Sequence, residues 1–288
     1  MKRKVMLALL SGLLVLSPLA AASAAPSPQA ERWALVIGIS QYQGRTQPTP
    51  GSAGDAAIVR EALLRNGWPD DHILMLVNEA ATADAIRNGL AWLVERSTDE
   101  SFAVFSYSGH VKQKPNDQAR DGDQEGNDEF IWPTDNLHIA DGELAGYLRQ
   151  VKGDSWVTIA GCEAAGFDDG VSGPRTLFTA ASQEDQKGYE RGDWQQSVFN
   201  GLLFDQALLN GAGDADGDRA VSIQEAFDHA AREAPEMTKD QRFGPQNPYI
   251  AGGDGTPWFL SPPAPPRAES SGDGDSGLLG DLLGGLLG

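Results

Sequence analysis

Cysteine is almost missing from this sequence: Cys162 is the only one in 288 residues. That excludes an intrachain disulfide framework and any cysteine-rich zinc site. Histidine is scarce as well, at four residues, and their scatter builds no zinc constellation. Positive charge is short: 22 Lys and Arg face 41 Asp and Glu, for a formal net charge of −19. Nucleic-acid binding needs a basic footprint, so that class is excluded. There is no Walker A string and no dinucleotide fingerprint. No apolar run reaches the ~20 residues of a membrane span. What is present is enough apolar material for a sizeable core, 40% of residues, which excludes wholesale disorder.

The two ends differ from the middle. Lys2, Arg3 and Lys4 precede an apolar run from Val5 to Leu16, and Ala22-Ser23-Ala24 supplies small residues for cleavage. Residues 1–24 read as a secretory signal peptide, with export to a periplasm or out of the cell and no transmembrane span in the mature chain. Residues 261–288 form a separate tail, with the stiff run Pro262-Pro263-Ala264-Pro265-Pro266 and then a Gly-Leu-Leu repeat. The repeat reads either as low complexity or as a short apolar docking segment.

Residues 31–260 form the body. Trp33–Ile39 is a continuous apolar run, the pattern of a buried strand. Further strands are expected at His72–Val77, Phe102–Tyr107, Trp156–Ala160 and Arg175–Ala181. Helices are expected at Asp55–Asn66, from a Thr82 cap to Val94, at Asp141–Val151, Gln196–Leu209 and Ser222–Glu233. Alternating strands and helices predict an α/β domain with a largely parallel sheet and helices on both faces.

Active sites of such sheets gather at the carboxyl ends of strands. His110 follows one strand and Cys162 another. If those strands are neighbours, thiol and imidazole meet as nucleophile and general base, and an imidazolium would lower the thiol pKa. Gly109 and Gly161 let the backbone approach a substrate, and nearby N–H groups can cradle an oxyanion. The competing reading is a small buried hydrophobe and an unrelated loop histidine.

Six segments, in order, resemble the caspase-like cysteine peptidases, the clan of caspases, metacaspases and bacterial relatives. They are Trp33–Tyr42, Gly54–Ala57, Tyr107-Ser108-Gly109-His110, Asp128–Asp135, Ile139–Leu144 and Ile159–Phe167. His110 precedes Cys162 by about 50 residues, an interval also found in caspases. The resemblance implies a three-layer caspase-like fold, a mainly parallel six-stranded sheet with helices on both faces. It implies a cysteine endopeptidase acting on proteins or peptides, with His110 as acid–base and Cys162 forming an acyl-enzyme. It also implies cleavage after Arg or Lys, with Asp55 at an acidic substrate-binding position; Asp55 reads equally as a helix N-cap. Two positions depart from the pattern: Ala160 replaces an acid two residues before the nucleophile, and Val111 replaces the glycine after the histidine. A β-branched residue does not readily take a positive φ. A catalytically inactive module that binds peptides or partner proteins is therefore the alternative.

Two acidic clusters suit Ca²⁺, although the peptidase chemistry requires no cofactor. Asp121, Asp123, Asp128 and Glu129 lie in what reads as a Gly-rich loop. Asp214, Asp216, Asp218 and Glu225 fit positions 1, 3, 5 and 12 of an EF-hand loop, with Arg219 where glycine is expected. The competing readings are a solvated acidic loop for the first and a capping box, Ser222 with Glu225, for the second. Some metacaspases need calcium, and Asp128 falls within one of the resembling strings.

Overall fold

The computed structural model describes Ser27, residues 30–115 and residues 126–262. The signal-peptide and tail assignments, and Asp121 and Asp123, lie outside the described residues.

The chain runs through β1 (Arg32–Gly38), α1 (Ser52–Arg65), β2 (Ile73–Val77), α2 (Ala83–Arg96), β3 (Phe102–Ser108), β4 (Val111–Pro115), β5 (Asn127–Ile131) and β6 (Ile139–Ala140). It continues through α3 (Asp141–Leu148), β7 (Asp154–Ala160), β8 (Thr176–Ala180), β9 (Glu190–Arg191) and β10 (Gln196–Ser197). Helix α4 (Val198–Asn200) runs on as a π-helical stretch, Gly201–Leu209; α5 (Ile223–Thr238) and β11 (Tyr249–Gly252) follow. Six strands form one sheet in the order β11-β8-β7-β3-β1-β2, parallel except for β11, which is antiparallel to β8.

Helices cover both faces. Alternation along β1 sends Ala34 and Val36 toward α1, the α4 stretch and α5, and sends Leu35 and Ile37 toward α2 and α3. Both faces of the central strands are covered, which explains their unbroken apolar runs. Thr82 caps α2 by accepting from Ala85 N, and Ser222 with Glu225 forms a capping box on α5.

Three features depart from the sequence reading. Asp128 and Glu129 do not lie in a solvated loop; they are buried in β5, the middle strand of a small antiparallel sheet with β4 and β6. Charged residues in a strand carry no apolar alternation, so the pattern reads as a loop. Gln196 and Ser197 are strand rather than helix, because they pair with β9; Ser197 then caps α4. Asp55 is not an N-cap: Gly51 holds that position, and Asp55 points inward from the first turn of α1.

Candidate active site

Strands β3 and β7 are direct neighbours, with Ser108 opposite Ala160. His110 and Cys162 each lie two residues beyond that pair. Gly109 N bonds Ala160 O at 3.2 Å and ties the two strand ends together. His110 and Cys162 line one cavity of about 270 Å³, together with Gly109, Gly161, Ser52, Ser108, Ser197 and Glu190 among others.

His110 is held on several sides. Its backbone N–H donates to the Tyr42 hydroxyl at 2.8 Å, and its carbonyl accepts from the Tyr107 hydroxyl at 2.6 Å. Its ring Nε2 lies 2.8 Å from the Gln47 carbonyl. A carbonyl only accepts, so Nε2 carries a proton, and the neutral tautomer with that proton has its lone pair at Nδ1. The close approach at Gly109 requires glycine: a Cβ there would lie 2.7 and 2.8 Å from the Tyr107 and Tyr42 hydroxyls. A Cβ on Gly161 would meet a Val111 methyl at 2.7 Å.

Val111 takes no positive φ; it is an ordinary strand residue opposite Ile131. Trp132 N donates to His110 O at 3.2 Å, so the His110 carbonyl points toward β5, while the His110 N–H goes to Tyr42. In the trans peptide that joins them, the Val111 N–H lies opposite the His110 carbonyl and so turns away from β5.

The nucleophile loop is pinned beside the thiol. Glu163 sits in the left-handed region (φ 48, ψ 28), donates its N–H to Gln186 O at 2.7 Å, and pairs its buried carboxylate with the exposed Lys187 ammonium. Ser182 Oγ donates to Gly161 O at 3.1 Å. Cys162 Sγ faces the Gly188 carbonyl at 3.9 Å. The thiol differs from the sequence expectation: burial, and then the Glu163 charge, push its pKa above the usual value, while Lys187 opposes. The resting group is therefore a thiol rather than a thiolate. Iodoacetamide should alkylate Cys162 with a rate that still rises above pH ~8.5, the ordinary thiol value. Glu163→Gln should move that inflection down. An inflection near neutrality in the parent protein would contradict this electrostatic account.

Asp55 does not line the cavity. It is fully buried behind it, with Oδ2 accepting from Ser108 Oγ at 2.5 Å and Oδ1 from Ser197 N at 2.9 Å. Burial pushes its pKa up to about 7, against these hydrogen bonds, and the Glu190 charge adds to the rise. Glu190 and the Gln47 carbonyl escaped the sequence reading. Glu190 sits in a two-residue strand without a motif, and a backbone carbonyl leaves no residue-type signal.

Away from the cavity, Glu129 Oε1 accepts from Gln113 Nε2 at 2.7 Å, while its buried Oε2 has no hydrogen-bond partner among the described residues. Burial and the charges of Asp141, Glu184 and Asp169 push Glu129 up to about 8, against the Gln113 bond. Asp214, Asp216 and Asp218 place carboxylate oxygens within 4.8 Å of one another, a grouping found nowhere else among the described residues. They accept from loop amides, as in Gly217 N to Asp214 Oδ1 at 2.8 Å. Arg219 has a positive φ of 72 there. Glu225 does not join them; its Oε2 accepts from Ser222 N and Oγ at 2.9 and 2.7 Å.

Residues 32–162 match the family model described as metacaspase, peptidase C14 domain. The chain is similar to Metacaspase-1 of Candida albicans, 31% identical over 111 residues, covering 35% of this chain and 25% of that protein. It is also similar to Metacaspase-6 of Arabidopsis thaliana, 31% identical over 144 residues, covering 47% of this chain and 39% of the relative. The matches thus span well under half the length of these relatives. Among solved structures, protein GSU0716 of Geobacter sulfurreducens aligns with a TM-score of 0.58 at 17% identity, covering 77% of this chain and 94% of the other, a likeness of fold.

Proposed function

This chain belongs to the caspase-like cysteine peptidase family, and we propose that it is an exported cysteine endopeptidase in which His110 and Cys162 form the catalytic dyad and basic residues are taken at P1. The observation that carries this reading is the register of β3 and β7, which delivers an imidazole with its lone pair at Nδ1 and a thiol to one cavity. In the proposed reaction, His110 Nδ1 takes the thiol proton as sulfur attacks the scissile carbonyl carbon. The carbonyl oxygen becomes an oxyanion, received by the N–H groups of Cys162 and Val111. The protonated imidazole returns its proton to the departing amine, and the peptide C–N bond breaks to leave a thioester on Cys162. His110 then deprotonates a water molecule, which hydrolyses the thioester and restores the thiol. The conformation of Val111 supports an intact oxyanion site despite the missing glycine. Export rests on residues 1–24 alone.

The test is to trap the thioester. An N-acyl-arginine p-nitrophenyl ester, quenched in acid, should leave a mass adduct on the Cys162 peptide. Hydroxylamine should remove the adduct, and Cys162→Ala should never form it. Undiminished ester and peptide hydrolysis after complete alkylation of Cys162 would refute the dyad. The protonated resting thiol favours a second reading, a peptide-binding module without catalysis; it predicts peptide binding with no adduct.

Calcium belongs to the same proposal. The unpartnered Glu129 Oε2, in a field set by Asp141, Glu184 and Asp169, is chemistry that a hard divalent cation would relieve, and Glu129 would hold it; Asp128, one residue before it in β5, turns to the opposite face. Bound Ca²⁺ stabilises the folded chain by mass action. At 1 mM, Ca²⁺ should raise the unfolding temperature of the parent by a few degrees, more than Mg²⁺ does. Glu129→Gln should abolish that shift while Asp216→Asn keeps it; the reverse pattern would assign the ion to the second cluster.

A further inference from the structure

We infer that Asn136 is a positioning residue for His110: it clamps the loop that carries the Gln47 carbonyl, together with the Trp132 indole, against the imidazole ring. The inference rests on the peptidase reading for its catalytic consequence, whereas the clamp itself is read from the ring and can fail separately.

The Gln47 carbonyl that meets His110 Nε2 at 2.8 Å comes from residues 41–50, a mostly exposed stretch with neither helix nor strand. Exposed loop backbone with few bonds is the first to move. This loop is tied at its two ends, by Gln43 N to Thr134 O at 2.8 Å and by Thr49 N to Ser40 O at 3.2 Å. Between those ties, and apart from the contact with His110, Thr46 makes the one hydrogen bond that leaves the loop among the described residues. Its Oγ1 donates to Asn136 Oδ1 at 2.7 Å. Thr46 immediately precedes Gln47, so this bond acts one residue from the carbonyl that holds the ring.

Asn136 uses its whole amide. Oδ1 also accepts from Trp132 Nε1 at 2.7 Å, and Nδ2 donates to Gln43 O at 3.0 Å. An indole N–H only donates and a carbonyl only accepts, so the amide fits in one orientation. The Trp132 ring fixed in this way has its centroid 5.6 Å from that of His110, and the Tyr42 ring closes in at 5.0 Å. One side chain thus holds two of the walls around the imidazole. Asn136 is itself held. Its φ is 62, in the left-handed region that asparagine takes more readily than most residues, and its N–H closes a turn onto Pro133 O at 3.0 Å. That turn is fastened to the start of α2 by Thr134 N to Ala81 O at 3.0 Å and by the Asp135 carboxylate, which accepts from Ala83 N at 3.2 Å. The loop therefore borrows the rigidity of a helix. Asn136 does not line the cavity, so its effect passes through His110. Without the clamp the carbonyl leaves Nε2, and the neutral ring divides between its two tautomers. Nδ1 then carries the proton part of the time and cannot take one from the thiol.

The experiment is magnetic resonance of the histidine ring nitrogens in the full chain, at a pH where the rings are neutral. Asn136→Gly keeps the positive φ and removes all three side-chain bonds. His110→Ala identifies the His110 signals. The parent should show His110 as the Nε2–H tautomer, and Asn136→Gly should show a mixture. Thr46→Val removes a single donor and should fall between them, whereas Thr46→Ser keeps the hydroxyl and should stay close to the parent. His72 and His229 bond elsewhere, to Arg32 O and Gln206 Oε1, and unchanged signals from both establish that the variant is folded. In peptide hydrolysis, Asn136→Gly should lower kcat about 10- to 100-fold, the scale of a misplaced reacting group, and leave KM nearly unchanged. An unchanged His110 tautomer in Asn136→Gly overturns the inference, and so does an unchanged kcat in a parent that forms the thioester. A tautomer change in a chain that forms no thioester would support the clamp while retiring the peptidase reading.

Discussion

His110→Ala should cleave peptides about 10²–10⁴ times more slowly than the parent, the usual worth of a positioned acid–base group. The structure points to the upper part of that range. Cys162 rests as a thiol, because burial and Glu163 both disfavour the thiolate. Without the imidazole, the proton must go to solvent from a group that holds it more firmly than a free cysteine does. The leaving amine also loses its proton donor. Cys162→Ala should fall to background, and the double variant should be no worse than Cys162→Ala alone, because the two residues act as a unit. Initial rates of peptide hydrolysis across the three variants check this. A His110→Ala protein within tenfold of the parent would mean that another group takes the proton. Tyr42→Phe offers a finer control, since its hydroxyl accepts from the His110 backbone N–H and so positions the histidine.

Trp156→Ala should cost about 3–5 kcal/mol of stability, the range for emptying a buried aromatic site. Against total stabilities of about 5–15 kcal/mol, that brings the domain near its unfolding midpoint. Trp156 is fully buried in β7, stacks on Phe204 with centroids 5.2 Å apart, and donates from Nε1 to Thr179 Oγ1 at 2.9 Å. The substitution therefore leaves a cavity between β7 and the α4 stretch and removes the donor to Thr179 Oγ1 in β8, which keeps only its own long bond to Val157 O at 3.5 Å. Trp156→Phe keeps most of the volume and should lose less. Urea denaturation followed by circular dichroism measures both. Because β7 also carries the nucleophile, activity should fall in proportion to the folded fraction, whereas kcat of the folded molecules at low temperature should hold. A loss below ~1 kcal/mol would mean that the surrounding side chains collapse into the space.

Most of the central sheet was legible in the sequence because burial on both faces leaves an unbroken apolar signature. Runs such as Trp33–Ile39 and Phe102–Tyr107 fall within one residue of the observed strands. The edge strand β11 was not legible as a strand: Tyr249-Ile-Ala-Gly is only partly buried and shows neither alternation nor a long apolar run. The small sheet of β4, β5 and β6 was hidden for another reason. Asp128 and Glu129 are charged yet buried, and local pattern cannot tell a buried carboxylate from a solvated one. Of the candidate site, His110, Cys162 and their glycines were readable because chemistry restricts residue type. Asp55 was readable as an acid of interest, but not as one standing behind Ser108 and Ser197.

Sequence by itself determined the class of fold, the order of the central strands along the chain, and which two reactive side chains follow them. Those are properties of short segments, where periodicity and residue type act locally. Only the tertiary structure decided that β3 lies beside β7, that the Gln47 carbonyl meets the His110 ring, that Glu163 and burial keep the thiol protonated, and that Glu190 closes the cavity next to Ser52. Each of these depends on groups far apart in the chain. Distance, desolvation and charge coupling between them exist only once the sheet has brought the loops together.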